Sequence, residues 1–319
     1  MITRCMMAVL VTVCTGVSAQ TFPDKPVRIV VGYAPGGATD LVGRILADGV
    51  TELLGQSVII DNRAGAGGAI GMQIVAKAAP DGYTLALCTI GNCAIMPSLV
   101  KTAGYDLIKD FLPVMFVGGF MNVFVVTPSF PAKSVKELVA LAKASPGKIV
   151  FGSGGVGNSP HMTVELLKYR AGIDMLHVPY KGSGPAIIDV VGGQINMMVE
   201  NEPSLVSHVK GGRLRAIAVT GMKRSAQLAD VPTMIEQGYE DFVVEAWNGF
   251  LAPARTPRPA IDRLNAAFNT ALQNPRIRKR LEEVSVNIAG GTPQDFGAHL
   301  KAEIDKWASV IKANNITVE

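Results

Sequence analysis

Short β-branched runs and stretches with helical spacing take turns along almost the whole chain. Val27–Val31 is a β-branched run. After Tyr33-Ala34-Pro35-Gly36-Gly37-Ala38-Thr39-Asp40, the apolar residues Leu41, Ile45, Leu46 and Val50 recur with the spacing of one helix face. Residues 57–61 read as a second strand, and the glycine-rich segment 64–71 opens a helix that stops near the turn signal Pro80-Asp81-Gly82. Strands follow at 83–88, 114–117 and 123–126, with a loop and helix over 90–99. Ser134 and Glu137 form a capping box for a helix that ends near Pro146-Gly147. Residues 149–151 lead as a strand into Gly152-Ser153-Gly154-Gly155-Val156-Gly157-Asn158-Ser159, and Pro160 suits the first turn of the helix that follows. Further strands fall at 175–178, 195–199, 214–219 and 243–250, and from Pro257 on the pattern is mostly helical. This alternation predicts mixed or parallel sheets covered by helices.

No repeat of fixed period appears, yet the strand and glycine loop around Gly36-Gly37 are matched in kind by those around Gly154-Gly155. A chain of 319 residues is long enough for two lobes with separate cores. The expected organisation is a leader over residues 1–19, a first lobe over 20–124, a second lobe over 125–248, and a return to the first lobe with C-terminal helices over 249–319. The crossovers are expected near residues 123–127 and 247–251. The leader rests on Arg4, an apolar run over residues 6–13, and Val17-Ser18-Ala19 before a cleavage point ahead of Gln20. It places the mature protein in the periplasm, and its apolar run is too short to span a bilayer.

Composition narrows the function. Hydrophobic residues make up 48% and charged residues 18%, which suits a globular protein. Aromatic residues at 6% argue against a sugar site built from stacked rings. The formal net charge is +4, or +3 without Arg4, and the local cluster Arg276, Arg278, Lys279 and Arg280 lies beside Glu282 and Glu283 as a solvated helix face. No stripe of basic and aromatic residues exists to track phosphates, so nucleic acid is not an expected partner. Cys5 and Cys14 leave with the leader. For Cys88 and Cys93, export permits a disulfide, but a strand-to-helix turn need not bring the two Cβ atoms within bonding reach, so two buried thiols are the favoured reading. His161, His177, His208 and His299 are scattered, and neither a metal nor a cofactor is expected.

Glycine lets backbone approach a ligand closely, and a helix start points N–H groups outward. Together they make an anion site without a charged side chain. Segments 35–40 and 153–159 have this form. The first also reads as a strand–helix turn capped by Thr39 or Asp40, and both readings hold together, because a cap and an anion use different N–H groups. Residues 152–157 formally fit the dinucleotide pattern, with Asp174 at a distance suited to a ribose acid, but export and the lack of an acid–base pair argue against hydride chemistry. An exported hydrolase acting on a carboxylate ester is the competing class. No GxSxG elbow occurs, however, and the spacing of His177 and Ser183 is not that of a triad. An adhesion or scaffold protein is a further alternative. Tyr180-Lys181 and Glu200-Asn201 sit at strand ends, where ligands bind in α/β folds, and equally fit surface turns. A carboxylate at Glu200 would repel an anionic ligand unless it holds a loop, a water or an amino group. His161 reads as packing or hydrogen bonding at a helix start, and Trp247 as either a lid or a core residue.

Several segments, in their order and spacing, resemble one family over nearly the whole chain, from Phe22 to about Ile316. They are Pro23-Asp24-Lys25-Pro26-Val27-Arg28, the segment 33–40, Asn62-Arg63-Ala64-Gly65-Ala66-Gly67-Gly68, Ala79-Pro80-Asp81-Gly82-Tyr83-Thr84, His177-Val178-Pro179-Tyr180-Lys181-Gly182-Ser183-Gly184, Leu214-Arg215-Ala216-Ile217-Ala218-Val219-Thr220 and Asp230-Val231-Pro232-Thr233. The family is the Bug-type receptors of tripartite tricarboxylate transporters. The resemblance implies a two-lobed periplasmic binding protein fold (type II-like), with mixed β-sheets flanked by helices. It implies a non-catalytic receptor that grips a small carboxylate in the interlobe cleft, largely by main-chain amides and bridging waters, and delivers it to a large and a small integral membrane subunit. The matching loops are those at Gly36-Gly37, at residues 89–92 and 153–159, and at Tyr180. With the readings above, the candidate ligand-binding set is Tyr33, Pro35, Gly36, Gly37, Ala38, Thr89, Gly91, Asn92, Ser153, Gly154, Gly155, Asn158, Ser159, His161, Tyr180, Glu200 and Asn201, on a monomer. The family often has Asp-Asn where this chain has Glu200-Asn201, a small-polar and His pair where it has Asn92-Cys93, and a polar residue where it has Val156. These departures leave the particular carboxylate open.

Overall fold

The computed structural model describes residues 22–100 and 103–313, and the leader expected over residues 1–19 lies outside them. Strand β1 (Val27–Val31) leads into helix α1 (Ala38–Leu54), which returns to β2 (Val58–Asn62), parallel to β1. Helix α1 buries Val42, Ile45, Leu46 and Val50, the predicted stripe with Val42 in place of Leu41. A 3-10 turn and α2 (Ala69–Ala76) then carry the chain to β3 (Thr84–Thr89), parallel to β1 on its other side. A π-helical turn over Gly91–Ile95 and the short α3 (Met96–Leu99) follow.

The strands expected at 114–117 and 123–126 are one continuous strand, β4 (Phe111–Val126). Gly118-Gly119 looks like a break, but the ladder continues through register shifts at 113/115 and 116/118, which bend the strand without ending it. Gly118 is at φ +150, and a Cβ there would lie 2.1 Å from the Asn287 carbonyl oxygen, so only glycine lets the neighbouring chain pass so closely.

Then come α4 (Val135–Ala144), β5 (Val150–Ser153), α5 (Ser159–Ala171), β6 (Leu176–Pro179), α6 (Ser183–Val191), β7 (Met197–Asn201), α7 (Glu202–Lys210), β8 (Arg215–Val219) and β9 (Glu245–Pro253). Half of the capping box forms: Ser134 Oγ accepts the Glu137 N–H at 3.2 Å, while the Glu137 carboxylate reaches one residue past the N-cap and accepts from the Lys133 N–H at 2.7 Å. The chain ends in α8 (Arg258–Gln273), α9 (Pro275–Glu283), the two-residue β10 (Asn287–Ile288) and α10 (Pro293–Ala313).

The sheet order is β2-β1-β3-β9-β4-β7-β5-β6, with β8 and β10 also pairing β4. Through Met121, β4 pairs antiparallel with β9; from Asn122 on, it pairs with β7 and from Val123 with β8. The chain returns beside this point, where the Val244 N–H meets the Thr220 carbonyl and β9 begins at Glu245. One half thus holds β1–β3, β9 and the start of β4. The other holds β5–β8 and the end of β4. We propose that the lobes divide at these two adjacent crossings. The basic cluster on α9 is a paired surface: Arg276 and Arg280 reach Glu52 and Asp48 of α1 at 2.5 and 2.7 Å. Among the described residues, no helix is long and apolar enough to cross a membrane.

Candidate functional site

Parallel strands place their C-terminal ends, and the helix starts that follow, on one edge of each sheet. Here the two edges face each other across a small cavity that opens to solvent. The first half contributes Tyr33, Gly37, Ala38, Thr39, Asp40, Thr89 and Gly91, and β9 adds Trp247 and Asn248. The second contributes Asn158, Ser159, Ser183, Glu200 and Asn201, and Phe120 of β4 closes the wall.

Helix starts dominate this lining. Ala38 opens α1, Ser159 opens α5, Ser183 opens α6, and Asn201 is the N-cap of α7. Three of the four ends, those of α1, α6 and α7, have no side-chain cap; Gly37, not Thr39 or Asp40, is the N-cap of α1. On α5, Asn158 Oδ1 accepts the His161 N–H at 2.9 Å. Uncapped helix starts carry unpaired N–H groups and the positive end of the helix dipole, so the cavity favours an anion. No lysine, arginine or histidine lines it.

Two acidic residues do. Asp40 is spoken for: its carboxylate accepts from Gly36 N–H, Arg44 Nε and Asn62 Nδ2 at 3.0–3.1 Å. Burial would raise its pKa, but these bonds outweigh burial and hold it below the ordinary value. Glu200, only 1% exposed, is different. One carboxylate oxygen accepts the Asn201 N–H at 2.9 Å, and the other has no partner. Burial pushes its pKa up to about 7, against the opposing pull of the Asn201 N–H and the nearby Ser183 hydroxyl. Across the cavity Asn248 is fully buried, and neither atom of its amide is hydrogen-bonded.

The remaining polar lining is held from behind. Asn201 Nδ2 donates to Asn122 Oδ1 at 2.5 Å and to Ser159 Oγ at 3.3 Å. The Tyr33 hydroxyl donates to the Gly67 carbonyl at 3.0 Å and lies 3.1 Å from Thr89 Oγ1; burial raises its pKa to about 12. Trp247 is a wall and core residue: its indole N–H reaches Glu303 at 3.1 Å and its rings pack against Phe116 and Phe296.

Of the sequence-derived candidates, Tyr33, Gly37, Ala38, Thr89, Gly91, Asn158, Ser159, Glu200 and Asn201 meet at the cavity. The others do not, for distinct reasons. Pro35 and Gly36 form a seam between the halves: Ala34 N–H donates to the Lys181 carbonyl at 2.9 Å, and a Cβ on Gly184 would lie 2.4 Å from the Pro35 carbonyl oxygen. Gly154, Gly155 and Tyr180 line a separate crevice with Gly65, Gly67 and Lys181, and the Tyr180 hydroxyl donates to Asp189 at 2.6 Å. Asn92 turns inward, where its side-chain oxygen accepts the Thr89 N–H at 2.8 Å. Ser153 is fully buried, with its hydroxyl 2.8 Å from His177 Nε2 and donating to the Gly155 carbonyl, so this Ser–His pair lies outside the cavity lining. His161 stacks on His177 at 4.1 Å and its Nδ1 accepts the Gly157 N–H. Burial first, and their neighbours second, lower the pKa of His161 to about 3 and of His177 to about 4, so both are neutral packing groups.

Ser183, Phe120 and Asn248 were not among the candidates. Ser183 lies in the Gly182-Ser183-Gly184 motif, which announces a helix start more than a nucleophile. Asn248 carries no local signal, because it reaches the cavity only through the pairing of β9 with β3, opposite Thr89. The two-thiol reading of Cys88 and Cys93 is corrected: they form a disulfide with Cα atoms 6.1 Å apart. The π-helical turn folds position 93 back over the strand end, and the bond brackets the lining residues Thr89, Ile90 and Gly91.

Two α/β halves joined by adjacent crossings, with an amide-lined cavity between them, define a two-lobed periplasmic binding protein fold of type II-like architecture. The family model for the tripartite tricarboxylate transporter family receptor, TctC, matches residues 42–316, and the chain belongs to this family. It is 38% identical to Protein BugT of Bordetella pertussis over 93% of this chain and 91% of that one. Among solved structures, periplasmic binding protein BugD is 34% identical with a TM-score of 0.90, over 93% of this chain and all of that one. An R. palustris protein solved with adipate is also 34% identical, with a TM-score of 0.89, over 93% and 99% of the two chains.

Proposed function

We propose that this chain binds a small carboxylate in the interlobe cavity, in the periplasm, and delivers it to the large and small membrane subunits of a tripartite transporter. The observation that carries the reading is the convergence of four helix starts from both halves on one cavity whose lining has no basic side chain. Main-chain N–H groups then do the work that lysine or arginine does elsewhere. Membership of the receptor family and the adipate held by the R. palustris relative point the same way. A ligand that touches both halves binds the closed state better and draws the population toward it, and closure is what a membrane partner would read. The protein acts as a monomer, by binding without turnover.

A thermal-shift screen of mono-, di-, tri- and aromatic carboxylates tests this. A ligand at about 100 times its dissociation constant should stabilise the fold by about 2.7 kcal/mol. If no carboxylate shifts the melt and a stable protein partner is captured instead, the receptor reading fails. Release of product from an ester panel would fail it in favour of a hydrolase. N-terminal sequencing of exported protein that shows an intact Met1 would remove the periplasmic assignment.

A further inference from the structure

On the reading that the cavity holds a carboxylate, Glu200 is an anomaly. Asp40 has its carboxylate committed to Gly36, Arg44 and Asn62, whereas one oxygen of Glu200 stands without a partner in the cavity wall. The carboxyl group cannot swing away. Its other oxygen is held by the Asn201 N–H, and Asn201 is itself clamped to Asn122 and Ser159. Nothing basic in the lining neutralises it. An ionised Glu200 would face the ligand as a like charge, while a protonated one would offer a short, charge-assisted O–H···O⁻ bond.

We infer that Glu200 enters the complex as a carboxylic acid, donating its proton in a hydrogen bond to a carboxylate oxygen of the ligand, so that this receptor takes a small dicarboxylate together with one proton. Two carboxylates rather than one follow from the arrangement of amides. Helix α1 presents its uncapped start from the first half, and α6 and α7 present theirs from the second, so each end of a dianion has its own set. Glu200, at the end of β7, completes the second set. Burial already places the group near neutrality, at about 7, so it holds a proton readily in a neutral medium. A dianion in the same cavity shifts it further toward the acid form.

Of the surrounding titratable groups, only Glu202 is a carboxyl also raised by burial, and it does not line the cavity. Tyr33, which faces it from the first half, is raised to about 12. Asp40 is held low within its cluster with Arg44. On α5 and β6, His161 and His177 are lowered to about 3 and 4, and Glu165 pairs with Lys168. Asp189 on α6 is bonded to Tyr180, and β4 and β5 place no titratable side chain opposite. On α7, burial raises Glu202 against the pull of its bonds to Ser225 and Ser285, which hold it on the other side of the strand end, and His208 is lowered by burial.

The test is isothermal titration with adipate and with succinate from pH 6 to pH 9, in buffers of different ionisation enthalpy, on the parent, Glu200→Gln and Glu202→Gln. The inference rests on the carboxylate reading, and the outcomes separate the two. The parent should take up about one proton per dicarboxylate near pH 8, with affinity level below pH 7 and falling by up to about tenfold per pH unit above it. Glu200→Gln should take up none and bind with the same affinity at every pH, a few-fold more weakly than the parent at pH 6. Glu202→Gln should keep the parental decline. Binding of either dicarboxylate without proton uptake overturns the inference and leaves the carboxylate reading intact. So does tight binding of L-glutamate that Glu200→Gln abolishes, because Glu200 would then be an anion holding an ammonium group. Absence of binding by any carboxylate at any pH sinks both.

Discussion

The two glycine loops look alike in sequence and are used differently. The first, after β1, brings Gly37 and Ala38 to the cavity and leaves α1 without a side-chain cap. The second, after β5, brings only Asn158 and Ser159 there; Gly154 and Gly155 lie in a crevice against Gly65 and Gly67. Some of the glycine in this protein therefore serves the close approach of the two halves. It lets two backbones meet, as at Gly184 and Pro35, where a side chain would hold the halves apart. The lesson is that a glycine loop before a helix identifies close approach, and the partner in that approach is either a ligand or the other half of the protein.

The comparison breaks or sharpens most visibly at the seam. Gly184→Val puts a branched side chain where even a single Cβ would lie 2.4 Å from the Pro35 carbonyl oxygen, so the closed state should be lost. Affinity should fall by roughly a thousandfold, about 4 kcal/mol. Circular dichroism should show an intact fold, and small-angle scattering no ligand-induced compaction. Gly37→Ala is the counterpart at the cavity wall. Its φ of −88 suits any residue and its Cβ would meet Ser183 first, the side chain at 3.1 Å and the backbone nitrogen at 3.7 Å, so binding should drop by less than about tenfold with compaction retained. Equal losses in both variants would erase the distinction between seam and wall.

Next in size is the cost of the buried acid in the wall. Between the ordinary pKa of 4.5 and about 7, the folded chain holds a proton on Glu200 that the unfolded chain releases. Stability from this group therefore falls as pH rises through that window and stays lost above it. Glu200→Gln should recover up to about 3 kcal/mol at pH 8 and nothing at pH 4, read from urea midpoints at the two pH values. A gain that does not depend on pH would mean that Glu200 is ionised normally.

The disulfide has a smaller effect. It closes a loop of a few residues, and such a loop accounts for about 2 kcal/mol of restricted unfolded-state entropy. Reduction, or Cys88→Ser with Cys93→Ser, should lower stability by that amount and weaken ligand binding, because Thr89, Ile90 and Gly91 lie between the two cysteines. Unchanged binding in the reduced protein would show that the π-helical turn holds these residues unaided. The smallest effect belongs to Lys181→Ala. Its carbonyl serves the seam, but its exposed side chain does not line the cavity, so affinity should change by less than about threefold. A hundredfold loss would replace amide capture with a side-chain ion pair.

The sequence by itself determined the alternation of strands and helices, the N-cap at Ser134, and the strand-end loops from which the cavity is assembled, because these follow from short-range periodicity and local backbone preferences. It also carried the family, through motifs whose order spans the chain. The tertiary structure alone decided that 111–126 is one strand, that Cys93 reaches Cys88, and that Asn248 stands opposite Thr89 in the cavity wall. It alone decided which glycines meet a ligand space and which meet each other. Each of these depends on contacts between residues distant in the chain, or on a turn whose direction is set by what it packs against. The near-neutral carboxyl of Glu200 belongs to the same class: its chemistry comes from burial among residues distant in the chain, and no stretch of neighbouring residues encodes it.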